Sequence, residues 1–581
     1  MTVDPTTLAV VRGQLEHIAD EMCVVQVSSA FSPLVAEMGD MANGIYYYAN
    51  GDTVIQGRSG QPIFVASMQA AMQSVIQHVS QRGDRIDEGD VFILNDPYLG
   101  GTHLPDVKMA APFFFKGEPI FLLGSTGHWT DIAGASPGSF GPRATDIFQE
   151  GLRIPVMRLA RRGEIVEDVR NLLLHNTRLA PLQAGDIEAQ LNVLRVGHER
   201  LTKLFERYGT ATIRECAAEL RRRSETEVRS YLADLPDATY TFIDHLDNGG
   251  LDPKPLEIVL DLTIRGSDVH LDFSRSSPPS RGPVNCAAQT TISACQVAIK
   301  HLFPSIPINA GCFAPFTYNI PPDTFLGVQA PSPVGGYPDC AMRTIDVVFG
   351  ALSQADPERA YAAAFGTSGV CVLAGTDERT LGYYVAVFPY GGGYGASSRG
   401  DGLIYGTTTI GSANFPSLEA SEHDFPVFWR QFALREDSGC AGRSAGGYGI
   451  VMEVEALGPT TATFLGDRAD FSPFGIFGGK PGAPNVVKVH AGEELLELPF
   501  HSKGGPFDLP AGSRIEMRSP GGGGYGDPLE RPLDLLARDL RRGYISREKA
   551  EADYGAVFDG SGVLDEKGTI ERRRQLVVAP A

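Results

Sequence analysis

The chain has 581 residues, 43% of them hydrophobic and 21% charged, which is the composition of a folded globular protein, and its length allows about three or four domains. A formal charge of −20 would repel a phosphate backbone, which excludes nucleic acid as an expected partner. No stretch approaches the roughly 18 apolar residues of a membrane span, and Met1-Thr2-Val3-Asp4-Pro5 lacks the layout of a signal peptide, so no membrane contact and a cytoplasmic location are expected.

At the start, Asp4-Pro5 reads as an N-cap followed by proline at the first helical position, and Leu8, Val11, Leu15, Ile18 and Met22 recur at helical spacing. A long amphipathic helix is predicted there. From Phe31 to about Asp131, short apolar runs such as Val91-Phe92-Ile93-Leu94 and Phe113-Phe114-Phe115 are broken by Gly, Pro and Asp, while 68–79 has helical spacing. This region reads as mixed α and β, with strands ending in polar loops. Residues 186–235 predict an antiparallel helical hairpin, its second helix beginning near Thr212. Residues 240–273 are strand-rich and end in the Ser- and Pro-rich loop 274–283.

From about 284 to 525 the chain is rich in glycine and in β-branched or aromatic residues. The clusters Gly391-Gly392-Gly393-Tyr394-Gly395, Gly446-Gly447-Tyr448-Gly449 and Gly521-Gly522-Gly523-Gly524-Tyr525-Gly526 read as tight turns between strands. They follow no fixed period, so neither a propeller nor a solenoid is expected. Helices are predicted again at 533–540 and 547–554, before a charged tail; its Arg572-Arg573-Arg574, like Arg221-Arg222-Arg223, reads as a solvated run. The expectation is a mixed α+β fold in fewer, larger units than length alone suggests: an N-terminal region with ligand-bearing loops (1–185), a helical hairpin (186–238), a β-rich, Gly-rich region (239–530) and a helical C-terminal part (531–581).

The best candidate for chemistry is His103-Leu104-Pro105-Asp106 taken with Gly127-His128-Trp129-Thr130-Asp131. Both contain His-x-x-Asp, and imidazole with carboxylate suits a borderline divalent ion. Each pair follows a predicted strand, so the two loops could converge at one end of a sheet, with Asp40 as a third source. A single His-x-x-Asp is more often a loop hydrogen bond, and spacing alone leaves that reading open. Other motifs are weaker. Gly478-Gly479-Lys480 lacks the first glycine and the Ser/Thr of a phosphate loop. The Gly-x-Ser-x-Gly matches at Ser136 and Ser444 are followed by Pro137 or by glycines, which spoil the helix that a nucleophile elbow needs. The eight cysteines, Cys340 and Cys440 among them, are scattered without a Cys-x-x-Cys pair and read as reduced, buried thiols. His175 reads as a packing or capping residue.

Residues 94–107, 127–134, Ser136-Pro137-Gly138-Ser139 and Phe148-Gln149-Glu150-Gly151-Leu152-Arg153-Ile154-Pro155 resemble, in order, the signature blocks of the hydantoinase B/oxoprolinase family. Arg343-Thr344-Ile345-Asp346, 391–402, 434–449 and Ser519 to Pro528 continue the resemblance along nearly the whole chain. It implies a metal-holding subunit whose ligands are Asp40, His103, Asp106 and His128, with Asp131 orienting them or accepting a proton. Zinc is the first choice of metal, manganese or iron the alternatives. It also implies an A-type ATP-binding partner subunit holding ATP-Mg, in a hetero-oligomer such as a dimer of heterodimers, acting on a small-molecule substrate. The partner would phosphorylate a cyclic amide of hydantoin, oxoproline or lactam type, and metal-activated water would then open it. The alternative is a subunit of an ATP-dependent acetophenone- or acetone-type ketone carboxylase. Two departures stand out: Glu37-Met38-Gly39-Asp40-Met41-Ala42 lacks the charged run usual before that aspartate, and Trp129 occupies a position where many members carry another histidine.

Overall fold

The computed structural model describes residues 3–578, so Met1 and Thr2 of the opening segment and the last three residues of the tail lie outside it. Helix α1 (Pro5–Ser29) begins as its sequence dictates: Asp4 accepts a hydrogen bond from the Thr7 amide, and Leu8, Val11, Leu15, Ile18 and Met22 are buried. There follow α2 (Pro33–Ala36), β1 (Met41–Tyr47), β2 (Thr53–Gln56), α3 (Phe64–Gln81), β3 (Val91–Leu94), β4 (Asp106–Phe115), β5 (Glu118–His128), β6 (Met157–Arg161), β7 (Glu164–Ile165), α4 (Glu167–His175), α5 (Ala180–Tyr208) and α6 (Thr210–Leu232). The strands form one antiparallel sheet in the order β2-β1-β5-β4-β3-β6-β7.

Both faces of this sheet are covered, and the pleat sorts its side chains. Phe121 and Leu123 join α1 and α5 in one core, whereas Leu122 between them joins Phe64, Met68 and Met72 of α3 in another. A strand buried on both sides reads as a continuous apolar run, which is why these runs did not alternate. The predicted antiparallel hairpin is corrected. The two helices meet at Gly209, whose φ of 77° and ψ of 156° lie in a region open essentially to glycine alone. A one-residue joint cannot fold two helices flush, and α6 packs on α1 and on the short helix after Asn309 rather than along α5.

The next unit comprises β8 (Ala238–Leu246), β9 (Leu256–Arg265), β10 (Asp268–Asp272), α7 (Ala288–Leu302), α8 (Ala310–Phe313), β11 (Phe316–Asn319) and α9 (Tyr337–Ala355), its sheet ordered β11-β10-β9-β8. α7 and α9 were not anticipated within a region read as β-rich. α9 is buried nearly all round, and such a helix carries no polar stripe from which to read a 3.6-residue period. It packs with α3 and α7 in a core shared with the first sheet.

Two further antiparallel sheets face each other across one core: β12 (Val370–Asp377) and β13 (Gly382–Pro389) belong to the first, and after α10 (Leu418–Asp424), β14 (Val427–Leu434) and β15 (Ile450–Ala456) to the second. With β16 (Thr460–Leu465), β17 (Val486–Ala491), β18 (Glu494–Leu496), β19 (Gly504–Leu509) and β20 (Arg514–Arg518), the orders are β13-β12-β16-β19 and β14-β15-β20-β17-β18. The glycine clusters are not turns. They run as extended backbone laid on backbone: a Cβ added to Gly393 would lie 1.9 Å from the Gly447 carbonyl oxygen, and one on Gly522 1.9 Å from that of Tyr394. Gly447 N–H donates to Tyr394, Gly522 to Gly447 and Gly523 to Ala363. The expected tail is also helical, as α13 (Glu566–Val578) after α11 (Leu533–Arg541) and α12 (Arg547–Tyr554). Among the described residues no helix is long and apolar enough to cross a membrane.

A buried ionic network ties these units together. Arg343 of α9 pairs with Asp467, Lys503 reaches the same carboxylate, and Arg468 pairs with Asp346 of α9 and Asp244 of β8. All eight cysteines are unpaired and buried.

Candidate metal centre

The sheet order decides where the candidate ligands meet. β5 lies between β1 and β4, and the register places Asp106 directly opposite His128, while Met41 opposes Gly127. Asp40, one residue before Met41, therefore continues the row, and its carbonyl accepts the His128 amide at 3.0 Å. Asp40, His128 and Asp106 thus stand in one line across the ends of adjacent strands, on the α3 face, where directly opposed side chains lie about 5 Å apart. His103 reaches the row from the β3–β4 loop, folded back by the turn through Pro105, whose carbonyl accepts from Val107 and Trp129.

His103, Asp106 and His128 are all buried, and one ligand atom from each can be chosen so that all three lie within 4.8 Å of one another. The half-buried Asp40 stands beside this triad and lines the same cavity, which has a volume of about 380 Å³. His103 Nδ1 lies 3.4 Å from the Gly335 carbonyl oxygen. A carbonyl only accepts, so that contact favours the tautomer with the proton on Nδ1, in which Nε2 carries a lone pair. Nε2 is 3.2 Å from Asp106 Oδ2 and has no hydrogen-bond partner; His128 Nδ1 is likewise buried without one. Two acceptors facing each other in a buried site are unfavourable unless a cation lies between them. The residues therefore fit a divalent ion.

The electrostatics agree. Burial and the neighbouring Asp106 push the Asp40 carboxyl well above the usual carboxylate range. At Asp106 burial acts the same way, but the interactions with His103, then with His128 and Lys108, outweigh it and hold the carboxyl low. Burial lowers His128 to about 4, so its imidazole is neutral and free to ligate at neutral pH.

Asp131 is not brought into this group. Its buried carboxylate accepts from the amides of Ala133, Gly138 and Arg178 and pairs with the Arg178 guanidinium at 2.8 Å, so it holds the loop after β5. Trp129 points to the opposite side of the sheet, where its indole donates to Gln190, and so its departure from the family does not touch the cavity. Motif reading missed several residues. Thr102 and Tyr337 donate to Asp106 Oδ2, and Glu150 accepts the amides of Val334 and Gly335 and so fixes the carbonyl beside His103. Burial raises Glu150 to about 8. Only their buried positions beside the ligands reveal them.

The family model described as hydantoinase B/oxoprolinase matches residues 4–528. The chain belongs to this family. Among its relatives is the caprolactamase subunit beta of Pseudomonas jessenii, 34% identical over an alignment covering 98% of this chain and 99% of that one. A 5-oxoprolinase of Dictyostelium discoideum is 27% identical, covering 90% of this chain and 40% of its own length. The crystal structure of the ATP-dependent caprolactamase from Pseudomonas jessenii superposes with a TM-score of 0.90 at 33% identity, covering 99% of this chain and all of that one. A nucleotide-free acetone carboxylase structure shares the fold, with a TM-score of 0.90 at 20% identity over 100% of this chain and 84% of that one. In family terms, the early signature blocks are those that build the β3–β4 and β5 loops, and the block around Glu150 is the one that braces them.

Proposed function

We propose that this chain is the metal-holding catalytic subunit of an ATP-dependent cyclic amide hydrolase of hydantoin, oxoproline or lactam type, working with an A-type ATP-binding subunit. The observation that carries the reading is the bare Nε2 of His103 facing the Asp106 carboxylate, with His128 and Asp40 in the same row. The similarity to a caprolactamase subunit over the full length of both chains supports it.

His103, Asp106 and His128, completed by Asp40, would hold a divalent ion, zinc first and manganese or iron as alternatives. Bound there, the ion supplies Lewis acidity and brings the pKa of water towards neutrality. The Thr102 and Tyr337 hydroxyls fix the orientation of Asp106 by donating to its Oδ2. Gly335, held by Glu150, fixes the tautomer and tilt of His103. Asp131 acts as a positioning residue: it anchors the loop that sets Phe140 against the His128 ring, with centroids 6.0 Å apart. Phosphorylation of the amide oxygen by the partner would make the ring carbon electrophilic enough for water to attack.

Metal analysis of the purified chain and of a His103→Ala/His128→Ala variant tests the centre: a wild type without stoichiometric metal would sink it. Turnover by the complex with ATP tests the reaction. Ring opening of a cyclic amide without bicarbonate supports the hydrolase, and strict bicarbonate dependence with a ketone would replace it with the carboxylase reading.

A further inference from the structure

The wall of the cavity beyond the metal row has a chemistry of its own. Leu34, Met38, Phe140, Val370 and Val387 line it and pack together as one apolar cluster. Phe140 touches both histidine rings, with centroids 5.8 Å and 6.0 Å away, so the apolar surface begins at the ligands themselves. Several polar side chains of the lining are already engaged: Tyr337 donates to Asp106, Tyr390 to Asn485, and Gln61 bridges the Gly39 carbonyl and the Ser412 amide. Those remaining on the 403–415 segment are neutral: hydroxyls such as those of Thr407 and Thr408, and the Asn414 carboxamide. Among the described residues, neither lysine nor arginine lines the cavity. Lys108 is buried with its ammonium over the Phe64 ring at 5.1 Å, outside the lining.

From this we infer that the site takes a cyclic amide whose ring is uncharged and apolar beyond its amide group, and that it discriminates against rings bearing a carboxylate. The inference rests on the cyclic amide reading above and narrows it. The amide end belongs at the polar row, and the rest of the ring then lies against the apolar wall. A carboxylate on the carbon next to the ring nitrogen would be desolvated there without a cationic partner. The neutral hydroxyls and the Asn414 carboxamide on the 403–415 segment suffice to orient an amide N–H or carbonyl.

The test is a matched pair of rings, 2-pyrrolidone and 5-oxoproline, which differ only by the carboxylate. Each is given with ATP to the complex of this chain and its A-type partner, with 2-piperidone as a larger neutral ring. The expected result is a kcat/KM for the neutral rings about 100-fold or more above that for 5-oxoproline, the scale of leaving one buried charge unpaired. Equal or faster turnover of 5-oxoproline overturns the inference while leaving the amide hydrolase reading intact. Turnover of no cyclic amide at all overturns both.

Discussion

At His103 the position of a single proton decides how the residue can act: the tautomer that donates to the Gly335 carbonyl from Nδ1 leaves Nε2 free to ligate. The residues that orient the ligands should be separable from the ligands by experiment. Thr102→Val removes a donor to Asp106 but no ligand, so the metal should remain with its affinity lowered about 10- to 100-fold, as read by competition with a chelator. His103→Ala should lose the metal outright. Glu150 offers a pH test. Burial raises its carboxyl from 4.5 to about 8, so its contribution to stability is full below about pH 4.5 and is lost as pH rises towards 8. Glu150→Gln cannot ionise, so across that window the Tm of the variant should rise relative to wild type. Parallel pH profiles would show that Glu150 is ionised in the fold. The candidate ligand histidines were legible as residues because His-x-x-Asp recurs in two loops. Thr102, Tyr337 and Glu150 were not, since a hydroxyl or a glutamate has no signature until something buried lies beside it.

The row of candidate ligands is a product of strand order. Asp40, His128 and Asp106 come together because β5 inserts between β1 and β4, whereas β2, α3 and β3 separate β1 from β4 along the chain. Local patterns carry strands and helices but not which strand lies beside which. The first helix and its Asp4 cap could be read from their spacing, and β3 and β4 from their apolar runs. The all-round burial of α9 concealed it, and the glycine segments were mistaken for turns because close backbone approach and positive φ both select glycine. At Gly209 positive φ is the reason. Gly209→Ala should therefore cost about 1–3 kcal/mol in denaturant unfolding, since alanine must either strain or reorient α6. An unchanged midpoint would mean that the α5–α6 joint is free to adjust.

Over the whole molecule, Arg343 and Arg468 connect β8, α9 and the segment after β16 through carboxylates more than a hundred residues away in the chain. Removing one partner of a buried ion pair leaves the other uncompensated, so Arg343→Met should destabilise by about 3–5 kcal/mol. If the units share one cooperative transition, its midpoint should fall as a whole; a new early phase would show that they unfold separately. The glycine layer has a further consequence, in time rather than in energy. Gly393 donates to Pro520, and Gly523 lies against Phe474 and donates to Ala363. The layer therefore cannot close until residues near 526 have been synthesised. At roughly 5–20 residues per second, the 391–396 segment waits about 7–27 s on the ribosome with its pairings to residues 520–523 unmade. Its lack of side chains makes that exposed stretch poor in the apolar surface that drives aggregation, so the sequence that permits such close packing at the end also tolerates the delay before it.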